Sequence, residues 1–155
     1  MYDTILDHLP YKSSFRFVDH ISTLSLDEVV GEYTLREDAF FYADHFPGHP
    51  ITPGAIITEI MAQIGLVTLG IFHISQGAEG MTFNPDRPLF PLLTSTDVSF
   101  FKKVLPAEKV VVHSKKIYFR FGKLKCTVTM TNSAGEAIAK GTFSGIISHL
   151  NQPAS

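Results

Sequence analysis

Ile51-Thr52-Pro53-Gly54-Ala55-Ile56-Ile57-Thr58-Glu59-Ile60-Met61-Ala62-Gln63-Ile64-Gly65-Leu66 is the stretch that decides the fold. Pro53 suits the first turn of a helix, and Thr52 is a candidate N-cap. From Ala55 to about His73 the side chains are apolar nearly all round. A helix of that kind is buried on every side rather than on one stripe. Glu59 stands out in it, among Ile57, Ile60 and Met61. A carboxylate in such surroundings is costly unless paired or protonated, and burial favours the protonated form, a proton donor. The alternative is a helix edge with Glu59 simply wet. Gln63 follows at i+4, within reach of a side-chain hydrogen bond to Glu59.

Working outward, the segment after Leu93 changes period. Val98 to Lys103, Lys109 to Phe119, Lys123 to Thr131 and Glu136 to His149 read as strands, separated by turn signals at Pro106-Ala107, Phe121-Gly122 and Asn132–Gly135. In the third of these, Cys126, Val128 and Met130 share one face while Lys125, Thr127 and Thr129 share the other, as in a half-buried antiparallel strand. Upstream, residues 2–8 suit a short helical turn stopped by Pro10. Phe15 to Ile21 and Glu28 to Leu35 read as strands, and residues 36–54 and 76–92 as connections. One buried helix among strands gives an α+β fold, an antiparallel sheet curled around the helix. At 155 residues the chain suits a single domain, 1–155.

Composition narrows the function. The single cysteine, Cys126, cannot form an internal disulfide, so a reducing, cytoplasmic setting is expected. The acidic start, Met1 to Asp7, does not resemble a signal peptide. The apolar run from Ile60 to about Ile74 contains Gln63 and His73 and is shorter than the roughly 18 to 20 residues of a membrane span. A net charge of −2 gives no case for nucleic acid. The charge is uneven, however. Residues 100–125 hold eight basic side chains against one acidic, Glu108, whereas residues 1–99 hold four basic against thirteen acidic. Solvated strand faces explain this, and so does docking of an acidic partner. The second reading expects Lys102, Lys103 and at least one of Lys115, Lys116 or Arg120 beside the mouth of the site.

The loop before the helix is Asp44-His45-Phe46-Pro47-Gly48-His49-Pro50-Ile51-Thr52-Pro53-Gly54. Three prolines and two glycines make it stiff. An imidazole held there is a natural general base, although a lone histidine is more often structural. Asp44, His45 and His49 offer a weak metal reading with no third strong ligand. The helix start supplies free N–H groups that can stabilise a developing oxyanion.

His45-Phe46-Pro47-Gly48-His49-Pro50-Ile51-Thr52-Pro53-Gly54, followed by Glu59-Ile60-Met61-Ala62-Gln63, resembles the signature of the FabZ-type 3-hydroxyacyl-[acyl-carrier-protein] dehydratases, H-F-P-G-x-P-x-x-P-G and then E-A-M-A-Q. Leu9-Pro10 through Phe15–Ile21 is similar to that family's opening, and Asp97–Val104 to its F-K-R-P-V strand. The resemblance implies a hotdog fold, a long central helix wrapped by an antiparallel sheet. It implies elimination of water from a 3-hydroxyacyl thioester on an acyl carrier protein, in fatty-acid or polyketide chain building. His45 and Glu59 would be the catalytic pair, and Gly54 would bind the thioester oxygen through its N–H. Phe46 and Gln63 join Gly54 as expected substrate-binding residues. The family works as a homodimer, in some members a trimer of dimers, with the histidine of one subunit facing the carboxylate of the other. In related dehydratase-isomerases the helix carboxylate is Asp, so Glu59 implies no isomerisation. No metal or redox cofactor is needed, because the thioester itself acidifies C2. The chain departs from the pattern at Pro106-Ala107-Glu108, where the family has Pro-Gly-Asp, at Ser14, and over residues 76–92, so acyl chain length is not carried over. A hotdog thioesterase and a non-catalytic acyl binder are the rival readings.

Overall fold

A computed structural model describes residues 2–78, 86 and 89–149, the side chains of 148 and 149 excepted. Six strands form one antiparallel sheet in the order β1-β2-β4-β5-β6-β3, open at both ends. They are β1 (His20–Leu24), β2 (Glu28–Thr34), β3 (Leu89–Phe100), β4 (Lys109–Arg120), β5 (Lys123–Asn132) and β6 (Ala137–His149). A continuous helix, Gly54–Ser75, packs against the sheet, as α1 (Gly54–Ala62), a π-helical turn (Gln63–Val67) and α2 (Thr68–Ser75). This is the hotdog arrangement.

The helix is buried all round where its composition says it should be. Ile60, Met61, Ile64, Leu69 and Ile71 have no exposed surface. Burying each contributes about 1.5–3 kcal/mol. Two glycines set how closely helix and sheet approach. A Cβ at Gly65 would lie 2.9 Å from a Val128 methyl, and one at Gly31 would lie 2.8 Å from Ile64 Cγ2. The wide turn at 63–67 is closed by Thr68, whose hydroxyl donates to the Gln63 carbonyl at 2.8 Å.

Several expectations are revised. The helix is 22 residues long and apolar enough to cross a membrane, longer than the sequence reading allowed; 78% of its most apolar window is buried inside the fold. Thr52 is not the N-cap. Pro53 holds that position without a side-chain bond, and the Thr52 hydroxyl pairs with Tyr42 Oη at 2.6 Å. The strand expected at Phe15–Ile21 begins only at His20; Ser13–Phe15 is a 3-10 turn. The cause is a competing partner, since the Phe17 N–H donates to Gln63 Oε1 rather than to a strand. β3 starts at Leu89, inside the segment read as a connection, and ends at Phe100 rather than Lys103. Among the described residues it pairs only with β6, so Pro91 sits on an edge strand, where a missing N–H is tolerated. Much of the irregular 76–92 stretch lies outside the described residues. The Pro106-Ala107 departure has a local consequence: Ala107 takes a φ of 69°, a left-handed conformation that suits glycine.

Candidate active site

The loop ahead of the helix is rigid for reasons visible in its residues. Pro47 and Gly48 occupy the centre of a turn closed by the His49 N–H on the Phe46 carbonyl at 2.8 Å. Gly48 has a φ of 74°, so proline followed by a positive-φ glycine matches a type II turn. The Ile51 N–H donates to the His45 carbonyl at 2.9 Å, and the Thr52 N–H donates to the Val104 carbonyl at 2.8 Å. These bonds tie the loop to itself and to the segment following β3.

His45 is thereby fixed at the loop's base, half-buried. Its Nδ1 lies 2.8 Å from the Ile51 carbonyl. A carbonyl only accepts, so Nδ1 carries the hydrogen and Nε2 of the neutral ring keeps its lone pair. The Phe46 ring stacks on the imidazole, with centroids 4.1 Å apart, and is half exposed. His49 is exposed and contributes its backbone to the turn.

Gly54 is the first residue of the helix and is exposed. Its N–H has no acceptor among the described residues, as expected for a first-turn N–H. The Phe100 ring lies 3.6 Å from where a Cβ would be, so any side chain here would meet it.

Glu59 points from the helix into a pocket of about 160 Å³. It is half-buried rather than enclosed. Ala62, Leu66 and Val67 from the helix, Leu92 and Leu93 from β3, and Ile146 from β6 supply most of the apolar wall. The i+4 brace read from the sequence is present, with Gln63 Nε2 donating to Glu59 Oε1 at 3.0 Å. Gln63 itself has no exposed surface. Its Nε2 also donates to the Phe15 carbonyl at 2.9 Å, and its Oε1 accepts from the Phe17 N–H at 2.8 Å. The amide is thus engaged at both ends within the protein.

His45 does not line the Glu59 pocket. Within one chain His45 and Glu59 therefore stand in two separate candidate half-sites. Tyr11 is the residue that sequence reading missed. It lines the Glu59 pocket from the N-terminal segment, and only its nearness to the Leu9-Pro10 match could have drawn attention to it.

The expected basic patch divides. Lys102 and Lys103 lie between Phe100, which packs on Gly54, and Val104, which bonds Thr52, so they do flank the helix start. Lys115 lies opposite Glu28 and Lys116 pairs with Asp27 at 3.6 Å, beside the β1–β2 turn. The Lys102 N–H bonds the Ile138 carbonyl while Lys123 lies opposite Ile146. Eight strand residues separate these positions, about 26 Å. Lys102 and Arg120 therefore occupy opposite ends of the sheet.

A family model described as a FabA-like domain matches residues 9–142. The 3-hydroxyacyl-[acyl-carrier-protein] dehydratase FabZ of Psychrobacter arcticus is 31% identical over 132 residues, covering 82% of this chain and 84% of that protein. The FabZ dehydratase of Acinetobacter baylyi is 28% identical over 152 residues, covering 94% and 92%. Among solved structures, the dehydratase heterocomplex ApeI:P from Xenorhabdus doucetiae aligns with a TM-score of 0.74 at 13% identity, over 96% of this chain and 91% of that one. A hypothetical thioesterase from Streptococcus pneumoniae with coenzyme A aligns at 0.58 and 14%, over 86% and 88%. At such identities the two structures attest the fold and not the reaction. The family match runs from Leu9 to Thr142 and takes in both half-sites and the sheet around them: the chain belongs to the FabA-like family.

Proposed function

We propose that this protein removes water from a 3-hydroxyacyl thioester carried on an acyl carrier protein, giving the 2-enoyl thioester. The observation that carries this reading is the opposed chemistry of the half-sites. His45 is held with a free basic Nε2, and Glu59 is braced in an apolar pocket. FabZ relatives named for this reaction match over most of the chain.

In the mechanism, His45 Nε2 takes the proton from C2. The electron pair shifts toward the thioester oxygen, which accepts from the Gly54 N–H. As the C2–C3 double bond forms, the C3–O bond breaks, and the oxygen takes a proton from Glu59 and leaves as water. A proton gained by His45 balances the one lost by Glu59. Phe46, stacked on the imidazole, shields the base and offers a face to the thioester end.

The half-sites meet when two copies associate. Among the described residues β3 has an unpaired edge, and its Leu92, Leu93 and Phe100 are about half exposed. Leu92 and Leu93 line the Glu59 pocket, so a second copy at this edge closes the pocket and brings its own His45 to Glu59. The homodimer is the working unit of this proposal, with a trimer of dimers as a further assembly and the cytoplasm as its setting.

Incubation with 3-hydroxyacyl thioesters separates this reading from its rivals. Dehydration raises enoyl absorbance, a thioesterase releases free thiol, and a binder does neither. Thiol release without enoyl product would overturn the proposal.

A further inference from the structure

The Glu59 pocket has two polar side chains in its lining, Glu59 and Tyr11. Among the described residues the Tyr11 hydroxyl has no hydrogen-bond partner, and neither does Glu59 Oε2, since the Gln63 bond is to Oε1. The two groups do not bond each other. A phenol in a largely apolar cavity ordinarily finds a partner. Two polar groups without a protein partner on one largely apolar cavity mark a place for a small polar group of a ligand.

Tyr11 is held there by the residue that holds Glu59. Its ring packs on Phe15 at 6.2 Å between centroids, and Phe15 packs on Phe17 at 5.0 Å. The Phe15 carbonyl and the Phe17 N–H are both bonded to the Gln63 amide. One buried side chain therefore sets the positions of the acid and of the phenol. Burial pushes the Tyr11 phenol up from its ordinary value, and Glu59 adds to this whenever it is ionised. The phenol stays protonated, a donor, throughout the neutral range.

We infer that Tyr11 is a further catalytic residue of this site, its hydroxyl donating a hydrogen bond to the substrate's 3-hydroxyl while Glu59 protonates that oxygen. The inference rests on the dehydration proposed above. Tyr11 keeps its proton throughout; the proton that makes water comes from Glu59. The bond it donates strengthens as negative charge gathers on the departing oxygen, so it stabilises the transition state more than the bound substrate.

The test compares two leaving groups on one acyl chain. Wild type and Tyr11→Phe are assayed with the 3-hydroxyhexanoyl and the 3-chlorohexanoyl thioesters of a pantetheine mimic, above the spontaneous rate. Both substrates lose the C2 proton to His45, but chloride leaves unprotonated. Phenylalanine keeps the ring and its packing on Phe15, and turnover of the chloro substrate reports an intact base and fold. The expected result is a roughly 10- to 100-fold loss of kcat with the hydroxy substrate and a change under about threefold with the chloro substrate. Equal losses on both substrates, or no loss on the hydroxy substrate, would overturn the role of Tyr11 while leaving the dehydratase reading intact. Absence of enoyl product from wild type would instead overturn the dehydratase reading itself.

Discussion

Gln63 and Glu59 are joined by a 3.0 Å hydrogen bond across one helical turn, and the rest of the Gln63 amide is engaged with the backbone of Phe15 and Phe17. The Glu59 carboxylate is thus oriented by a side chain that also docks the N-terminal segment. Gln63→Leu keeps volume but leaves the Phe17 N–H and the Phe15 carbonyl without their partner. Each unsatisfied buried group costs about 1–3 kcal/mol. Urea unfolding should show a loss of about 2–5 kcal/mol, together with a fall in kcat. A variant as stable as wild type would contradict this account of how residues 15–17 are held.

His45→Ala and Glu59→Gln should behave differently from that variant. Both side chains are only half-buried, so little packing is lost. Each should cut kcat by about 10² to 10⁴ with little change in Tm. In the proposed dimer the half-sites come from different subunits, so refolding the two variants together should restore activity in mixed dimers, which carry one intact site. If mixed dimers confirmed by mass spectrometry stay inactive, the site is not shared between subunits.

The division of the basic residues sharpens the carrier-protein prediction. Lys103 flanks the helix start and makes no ion pair among the described residues, whereas Lys102 is paired with Glu136 at 2.8 Å. Lys103→Glu should raise KM for a carrier-bound substrate and leave a short uncharged thioester unaffected. Rising salt should do the same, since exposed charges are screened over about 8–10 Å. Lys115→Glu, beside the β1–β2 turn, should change neither. Equal salt sensitivity for both substrates would argue against a docking role.

His73 supplies a pH dependence of stability. It is 5% exposed, bonds the Leu26 carbonyl through Nε2 at 2.8 Å and stacks on Phe119. Burial holds its pKa below the ordinary histidine value, opposed in part by the Leu26 bond. The unfolded chain therefore binds the proton more readily. Stability from this group is fully present above the unfolded pKa of about 6.5 and is lost as pH falls below it. His73→Gln should flatten the fall in unfolding free energy between about pH 7.5 and 5.5. An unchanged slope would assign the acid sensitivity to other groups.

Ala107 offers a gain. Its φ of 69° places a Cβ in a left-handed conformation that costs about 1–2 kcal/mol, partly offset by the extra unfolded-state freedom of glycine. Ala107→Gly should raise stability by about 0.5–1 kcal/mol, read as a higher urea midpoint at unchanged slope. A lower midpoint would mean that the turn relies on the Ala107 methyl.

Where the pattern is local, the sequence alone determined the outcome. The all-round apolar run from Ala55 makes a buried helix, and alternation along 109–119, 123–131 and 136–149 makes β4, β5 and β6, because each period reports which faces are covered. The stiff His45–Gly54 loop and the Glu59/Gln63 pair were legible for the same reason, as turn chemistry and helical spacing act within a few residues. Tertiary structure decided what depends on a distant partner. Phe15–Phe17 alternates like a strand, yet its backbone bonds a glutamine 46 residues away. β3 was misread at its start because, beyond Leu89, its side chains are half-buried or exposed on both faces and leave no alternation. Thr52 gave up the N-cap because Tyr42 lies nearer its hydroxyl. The basic residues that look like one cluster along 100–125 end about 26 Å apart, because β4 runs the full length of the sheet between them. Tyr11 belongs to the site only because Gln63 binds the segment behind it, a relation no spacing in the chain records.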